Sequence, residues 1–158
     1  MSIAAQIIEI SEEKGVMIAC AESCTGGLVA AALTELPGSS VMFDRGFVTY
    51  SNAAKTALLG VKPGTLRMHG AVSEEVAREM AAGALAGSDA GLAVSITGIA
   101  GPGGSGEKPE GRVCFGLASG HEVRSVTQEF GALGRSRVRA AARDHALTLL
   151  LEGLHTLP

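Results

Sequence analysis

Between Val16 and Leu33 the chain has little choice of conformation. The apolar run Val16-Met17-Ile18-Ala19-Cys20 is followed by Ala21-Glu22-Ser23-Cys24-Thr25-Gly26-Gly27. Next comes Leu28-Val29-Ala30-Ala31-Ala32-Leu33, whose length and alanine content fit a buried helix. This is a strand, a tight turn and a helix, with a serine at the turn and two glycines behind it. Such a junction sets a hydroxyl at the edge of a sheet and can aim backbone N–H groups at whatever the hydroxyl attacks. Two readings of Ser23 are open. Ser23 or Thr25 can act as an N-cap, its oxygen accepting a bond from an orphan N–H of the first helical turn. Alternatively Ser23 is a nucleophile, in which case the rest of the chain must supply a base.

The remaining pattern alternates helices and strands. Ile3, Ile7, Ile8 and Ile10 predict an amphipathic helix over 3–14, stopped by Gly15. The helix after the Ser23 turn is expected to reach about residue 36, where Pro37-Gly38 ends it. A second strand is read at 47–50. A short helix over 53–59 follows, capped by Ser51 or Asn52, and then a turn at Lys62-Pro63-Gly64. Ser73 with Glu74 and Glu75 opens a helix to about residue 86. Residues 91–97 form an apolar strand of the kind buried on both faces, which empties into a loop from 98 to 111. Residues 112–119 and 122–130 alternate around Ser119-Gly120-His121 as a β-hairpin, and a helix over 135–151 closes the chain. The expected architecture is one domain over residues 1–158, of the α/β class. It is a three-layer α/β/α sandwich around a mixed, mostly parallel sheet with a late hairpin.

Composition narrows the function classes. Aromatic residues are only 3% of the chain, with no Trp, so the core is built from Ala, Val, Leu and Ile. A net charge of −3 argues against nucleic acid or an anionic membrane surface as the partner. No apolar run reaches the roughly 20 residues of a membrane span, and residues 1–6 carry no basic region and no cleavage pattern of a signal peptide. The three cysteines Cys20, Cys24 and Cys114 read as reduced thiols in a cytoplasmic protein. They and the scattered histidines lack zinc-site spacing, so no metal is expected.

Four features can carry chemistry. Lys55 lies in the first turn of a helix among Ala53, Ala54, Ala57, Leu58 and Leu59. A helix N-terminus and apolar surroundings both lower a lysine pKa, which suits a neutral general base. The plainer alternative is a lysine snorkelling from a surface helix. Tyr50, the one tyrosine, ends the strand that delivers Lys55. It is placed to bond the lysine or a substrate, or to be a core ring with a wet hydroxyl. In the stretch that begins at Thr97 and Gly98, the segment from Gly101 through Gly103 to Gly106 matches G-x-G-x-x-G, but a strand and not a helix follows it, so the dinucleotide-binding reading fails. What remains is a glycine loop whose N–H groups can form an anion nest, or an ordinary surface loop. Arg135 and Arg139 are four apart on the last helix and share a face, suited to a phosphate or simply solvated. Cys24 is a rival nucleophile with no histidine placed to activate it.

Taken together, several ordered motifs resemble the CinA C-terminal domain family. They are Ala21-Glu22-Ser23-Cys24-Thr25-Gly26-Gly27, Leu36-Pro37-Gly38-Ser39-Ser40, Val48-Thr49-Tyr50-Ser51-Asn52 with Lys55, His69-Gly70-Ala71-Val72-Ser73-Glu74-Glu75, and Ser95-Ile96-Thr97-Gly98-Ile99-Ala100-Gly101-Pro102-Gly103-Gly104. The resemblance implies hydrolysis of nicotinamide mononucleotide to nicotinic acid mononucleotide and ammonia by a Ser/Lys pair, here Ser23 and Lys55. It implies no cofactor, a small-molecule nucleotide substrate and a homodimer. On this reading the N–H groups around Thr25, Gly26 and Gly27 hold the oxyanion, and the phosphate sits against the glycine loop or Arg139. Family members often carry Gly-Asp-Arg where this chain has Leu133-Gly134-Arg135, which is expected to loosen Arg135. Two other function classes predict different behaviour. A catalytically silent nucleotide-binding module binds without releasing ammonia, and a partner-interaction domain does neither.

Overall fold

The computed structural model describes residues 1–158. In chain order the elements are α1 (Ile3–Lys14), β1 (Ile18–Glu22), α2 (Leu28–Leu33), a 3-10 turn (Ser39–Val41), β2 (Phe43–Val48), α3 (Asn52–Leu59), α4 (Pro63–His69), α5 (Glu74–Ala86), β3 (Leu92–Gly98), β4 (Arg112–Ser119), β5 (Val123–Glu129) and α6 (Arg135–Thr156). The five strands form one sheet in the order β2-β1-β3-β4-β5. β1 pairs with β2 and β3 in parallel, whereas β4 is antiparallel to both β3 and β5. Four of the five strands therefore point the same way, and β4 alone is reversed. Helices α1, α2 and α6 cover one face, and α3, α4 and α5 the other, which gives the three layers expected.

Strand alternation divides the core by size. Ile18, Cys20, Leu92, Val94, Ile96, Phe115 and Leu117 face α1, α2 and α6 in the larger cluster. The opposite face turns mostly small residues to α5, among them Ala19, Ala21 and Ala93, with Ser95 and Gly116. Such small residues let α5 lie very close to the sheet. Ser95 Oγ donates to the Ala77 carbonyl of α5 at 2.5 Å and accepts from the Gly116 amide at 3.0 Å. A Cβ at Gly116 would collide with that same carbonyl, and one at Gly83 of α5 would collide with the Leu59 carbonyl of α3. No helix of the protein is long and apolar enough to cross a membrane.

Several element boundaries differ from the sequence reading. α2 stops at Leu33, because Thr34 turns its hydroxyl back onto the Ala30 carbonyl at 2.8 Å. β2 starts four residues earlier than expected and ends two earlier, before Thr49. It is an edge strand, and its Asp44-Arg45 pair bonds out toward Asp89 and Gly87. The turn expected at Lys62-Pro63-Gly64 instead opens a helix, α4, with Pro63 at its first position, where no N–H is required. The last helix runs five residues further than expected, to Thr156.

Candidate active site

Because β1, β2 and β3 are parallel, their C-terminal ends open on one edge of the sheet, where ligands of open α/β sheets bind. The turn after β1 brings Ser23 to this edge. The Ser23 amide donates to the Ile96 carbonyl at 3.0 Å, and the Glu22 carbonyl accepts from the Thr49 amide at 2.8 Å. The main chain at the serine is thus held on both sides by extensions of the β ladder. The segment after β2 runs through Thr49 and Tyr50 into α3, whose N-cap is Ser51; its hydroxyl accepts from the Ala54 amide at 3.1 Å. Lys55, one turn in, is 1% exposed. The lysine does not snorkel.

Its amine has three neighbours. Lys55 Nζ lies 3.1 Å from Ser23 Oγ, 3.0 Å from the Thr49 carbonyl oxygen and 3.2 Å from that of Tyr50. No carboxylate pairs with it. Burial removes water from the ammonium and lowers the lysine pKa from its ordinary value, slightly opposed by the neighbouring Cys24. A neutral amine has two N–H bonds and one lone pair. With two carbonyls to satisfy, both N–H bonds are committed, and the lone pair is left for the Ser23 hydroxyl. That is the orientation a base needs to take a proton from Oγ.

Neither Ser23 nor Thr25 caps α2. The N-cap residue is Gly27, which has no side chain to offer, and the capping acceptor is the carboxylate of Glu22. Glu22 is fully buried; Oε1 accepts from the Gly27 and Val29 amides at 3.1 and 3.0 Å, and Oε2 from Ala30 at 3.0 Å. The Gly26 amide is also taken, by the Ser23 carbonyl at 3.0 Å. Of the turn's N–H groups, those of Cys24 and Thr25 alone bond no oxygen of the protein. The amides expected at Gly26 and Gly27 are therefore committed elsewhere, and Thr25 does not line the cleft. Glu22 is a residue of this turn that the sequence reading missed. Its signal was a charge on the last residue of an apolar strand, on the same face as Ile18 and Cys20.

A cleft of about 370 Å³ opens over the pair. Its walls include Ser23, Lys55, Tyr50, Thr97, Gly101 and Arg135, with Gly98 and Gly103 also in contact. The structure thus gathers most of the predicted residues around one space. Thr97 Oγ1 is turned outward to the Ala71 carbonyl at 2.8 Å. Tyr50 touches the lysine only through its carbonyl; its ring is exposed, and its hydroxyl accepts from Arg135 Nη2 at 2.7 Å. Two side chains from the C-terminal part of the glycine loop fasten it. Lys108 Nζ donates to the His69 and Val72 carbonyls at 2.8 and 2.5 Å, and Glu110 accepts from the Gly103 and Gly134 amides at 2.7 and 2.9 Å.

Arg139 is not among the residues lining the cleft. Its Nε and Nη2 donate to the Cys24 and Thr25 carbonyls at 3.0 and 3.2 Å, so it braces the serine turn from behind. Arg135 stands at the mouth instead. Despite the Gly134 that precedes it, Arg135 is held by the Gly101 carbonyl at 2.7 Å and by Tyr50. Burial pushes the Cys24 thiol up to about 11, which removes it as a resting nucleophile.

Comparison with known proteins identifies the family. The model of the CinA C-terminal domain matches residues 1–154. A nicotinamide-nucleotide amidohydrolase PncC of Enterobacter agglomerans is 55% identical over 141 residues, covering 87% of this chain and 85% of its own length. The Escherichia coli K12 protein of the same name is 48% identical over 151 residues, covering 95% and 92%. Among solved structures, the competence/damage inducible protein CihA of Agrobacterium tumefaciens superposes with a TM-score of 0.93 at 47% identity, over 98% of this chain and 94% of that one. With a family match across nearly its whole length and relatives this similar, the chain belongs to the CinA C-terminal domain family.

Proposed function

We propose that the protein is a nicotinamide-nucleotide amidohydrolase that works through Ser23, Lys55 and an acyl-enzyme. The observation that carries the reading is the lysine amine held by two backbone carbonyls with its third direction on the serine oxygen. The names of the similar PncC proteins supply the substrate.

The chemistry runs in two halves. Ser23 Oγ attacks the carboxamide carbon of nicotinamide mononucleotide while its proton passes to Lys55 Nζ. The oxyanion is met by the Cys24 and Thr25 amides, a donor of this kind contributing about 3 kcal/mol. Collapse breaks the C–N bond as Lys55 returns the proton to the leaving nitrogen, which departs as ammonia. Water then attacks the nicotinyl ester and gives a proton to Lys55. On the second collapse that proton goes back to Oγ, releasing nicotinic acid mononucleotide. Throughout, the ammonium formed on Lys55 keeps the Thr49 and Tyr50 carbonyls as acceptors, so the proton transfer leaves no donor stranded. At the mouth, Arg135 has N–H groups beyond those given to Gly101 and Tyr50, and these suit a phosphate.

Ammonia release from nicotinamide mononucleotide by wild type, Ser23→Ala and Lys55→Ala tests the proposal. Wild type is expected to turn over, and each variant to fold and lose essentially all activity. Turnover by a folded Ser23→Ala would sink the nucleophile assignment.

A further inference from the structure

The carboxylate of Glu22 takes no part in the acyl-transfer chemistry, yet it is the most buried charged group of the nucleophile turn. We infer that Glu22 is a positioning residue for catalysis: it caps α2 in place of a hydroxyl, which leaves Ser23 free to react and holds the turn that carries the uncommitted Cys24 and Thr25 amides. This inference rests on the Ser23–Lys55 reading above.

A helix start after a tight turn is ordinarily capped by Ser or Thr. Both are present here, at Ser23 and Thr25, and neither caps α2. For Ser23 to cap, its oxygen would have to turn toward the helix amides and away from Lys55. Glu22 prevents that competition from the opposite face of the strand. Its two oxygens take the amides of Gly27, Val29 and Ala30, and Oε2 also lies 3.7 Å from Cys20 Sγ. No cation pairs with Glu22, so these bonds account for its place in the core. Strand ladder bonds hold the same residue's carbonyl and the next residue's amide. The turn is thus clamped through main chain on one side and carboxylate on the other. Within it, Cys24 and Thr25 lie between the clamped Ser23 amide and the Gly26 and Gly27 amides, which are themselves engaged.

Glutamine cannot replace this carboxylate. It offers one acceptor oxygen where two are used, and its NH2 would face an amide N–H. The test compares wild type, Glu22→Gln and Glu22→Asp in two assays. One is steady-state ammonia release from nicotinamide mononucleotide per folded molecule. The other is the rate at which a fluorophosphonate labels Ser23, a reaction that uses the same oxyanion donors. Glu22→Gln is expected to lose about 100-fold in kcat, to change KM by less than about 3-fold, and to lose labelling rate in parallel. The shape of its pH profile is retained, because Lys55 is untouched. Glu22→Asp keeps the charge but is one methylene shorter, and falls between.

A purely structural role would instead lower thermal stability while leaving kcat and labelling rate of the folded molecules at wild-type values. That result in Glu22→Gln overturns the inference. If Glu22→Gln does not fold, wild-type kcat in folded Glu22→Asp overturns it equally. A wild type that neither releases ammonia nor labels at Ser23 removes the dyad reading itself, and this inference with it.

Discussion

Replacing Lys55 by methionine separates the charge of this side chain from its bulk, and the consequence is readable in stability as well as in rate. In the folded protein the amine is 1% exposed, faces two carbonyls and a hydroxyl, and has no anionic partner. Burial therefore holds its pKa below the value of 10.5 that applies when the chain is unfolded. Between those two pKa values the unfolded state binds the extra proton. Unfolding then takes up a proton, so stability rises with pH, by at most about 1.4 kcal/mol per unit. Below the folded-state pKa both states are protonated and the full penalty of burying the ammonium stands. Above the unfolded-state pKa the penalty is gone.

Lys55→Met lacks this dependence. It escapes the desolvation penalty but leaves the Thr49 and Tyr50 carbonyls without their donor, at about 1–3 kcal/mol each. The two effects oppose one another at acidic pH. As the pH rises only the second persists, and wild type pulls ahead. Urea unfolding of both chains at steps from about pH 5 to about pH 10 measures the difference. A wild-type-minus-variant difference that stays flat across that range would refute the argument. It would mean that Lys55 keeps its proton in the folded protein and cannot be a resting base.

Two further outcomes follow from the geometry. Arg135→Ala should raise KM for nicotinamide mononucleotide about 10-fold or more, since a hydrogen bond to a charged group contributes about 1.5–3 kcal/mol. An unchanged KM in steady-state kinetics would remove Arg135 from substrate binding. Gly83→Ala should destabilise the fold by about 1–3 kcal/mol in urea melts, although alanine is the better helix former, because the new methyl group meets the Leu59 carbonyl. Wild-type stability there would mean that α3 and α5 yield more readily than their contact suggests.

The sequence was informative wherever one local rule acted alone. Ser73 with Glu74 and Glu75 marks the start of α5, and the alternation around Ser119-Gly120-His121 marks the β4–β5 hairpin. Lys55 stood out because alanines, leucines and a helix start all lower an amine's pKa, although a snorkelling surface lysine was the plainer explanation. Legibility failed where two rules competed. Pro63 followed by Gly64 reads equally as a turn or as a helix entry, and only packing of α4 against α5 decides. Asp44, Arg45 and Gly46 hide β2, because an edge strand need not be apolar. Arg139 satisfied the spacing for a phosphate ligand, but a guanidinium answers two carbonyl oxygens as readily as a phosphate, and spacing cannot tell them apart. Glu22 was overlooked for a related reason: beside two hydroxyl residues, a carboxylate is not the obvious cap.

The reversal of β4 has a consequence for how such a small chain encloses a substrate. Had β4 run parallel to β3, the connection between them would have crossed to the far end of the sheet, and the catalytic edge would have lost a wall. Running backwards, β4 begins where β3 ends, so the segment from Ile99 to Gly111 stays beside Ser23 and Lys55 and folds over them. The next reversal returns β5 to the same edge, where it delivers Arg135. The antiparallel half of the sheet thus acts as a hinge plate for the parallel half. Its register can stay fixed while the loop it carries varies in length and chemistry, which separates what the protein must preserve to fold from what it can alter to choose a substrate.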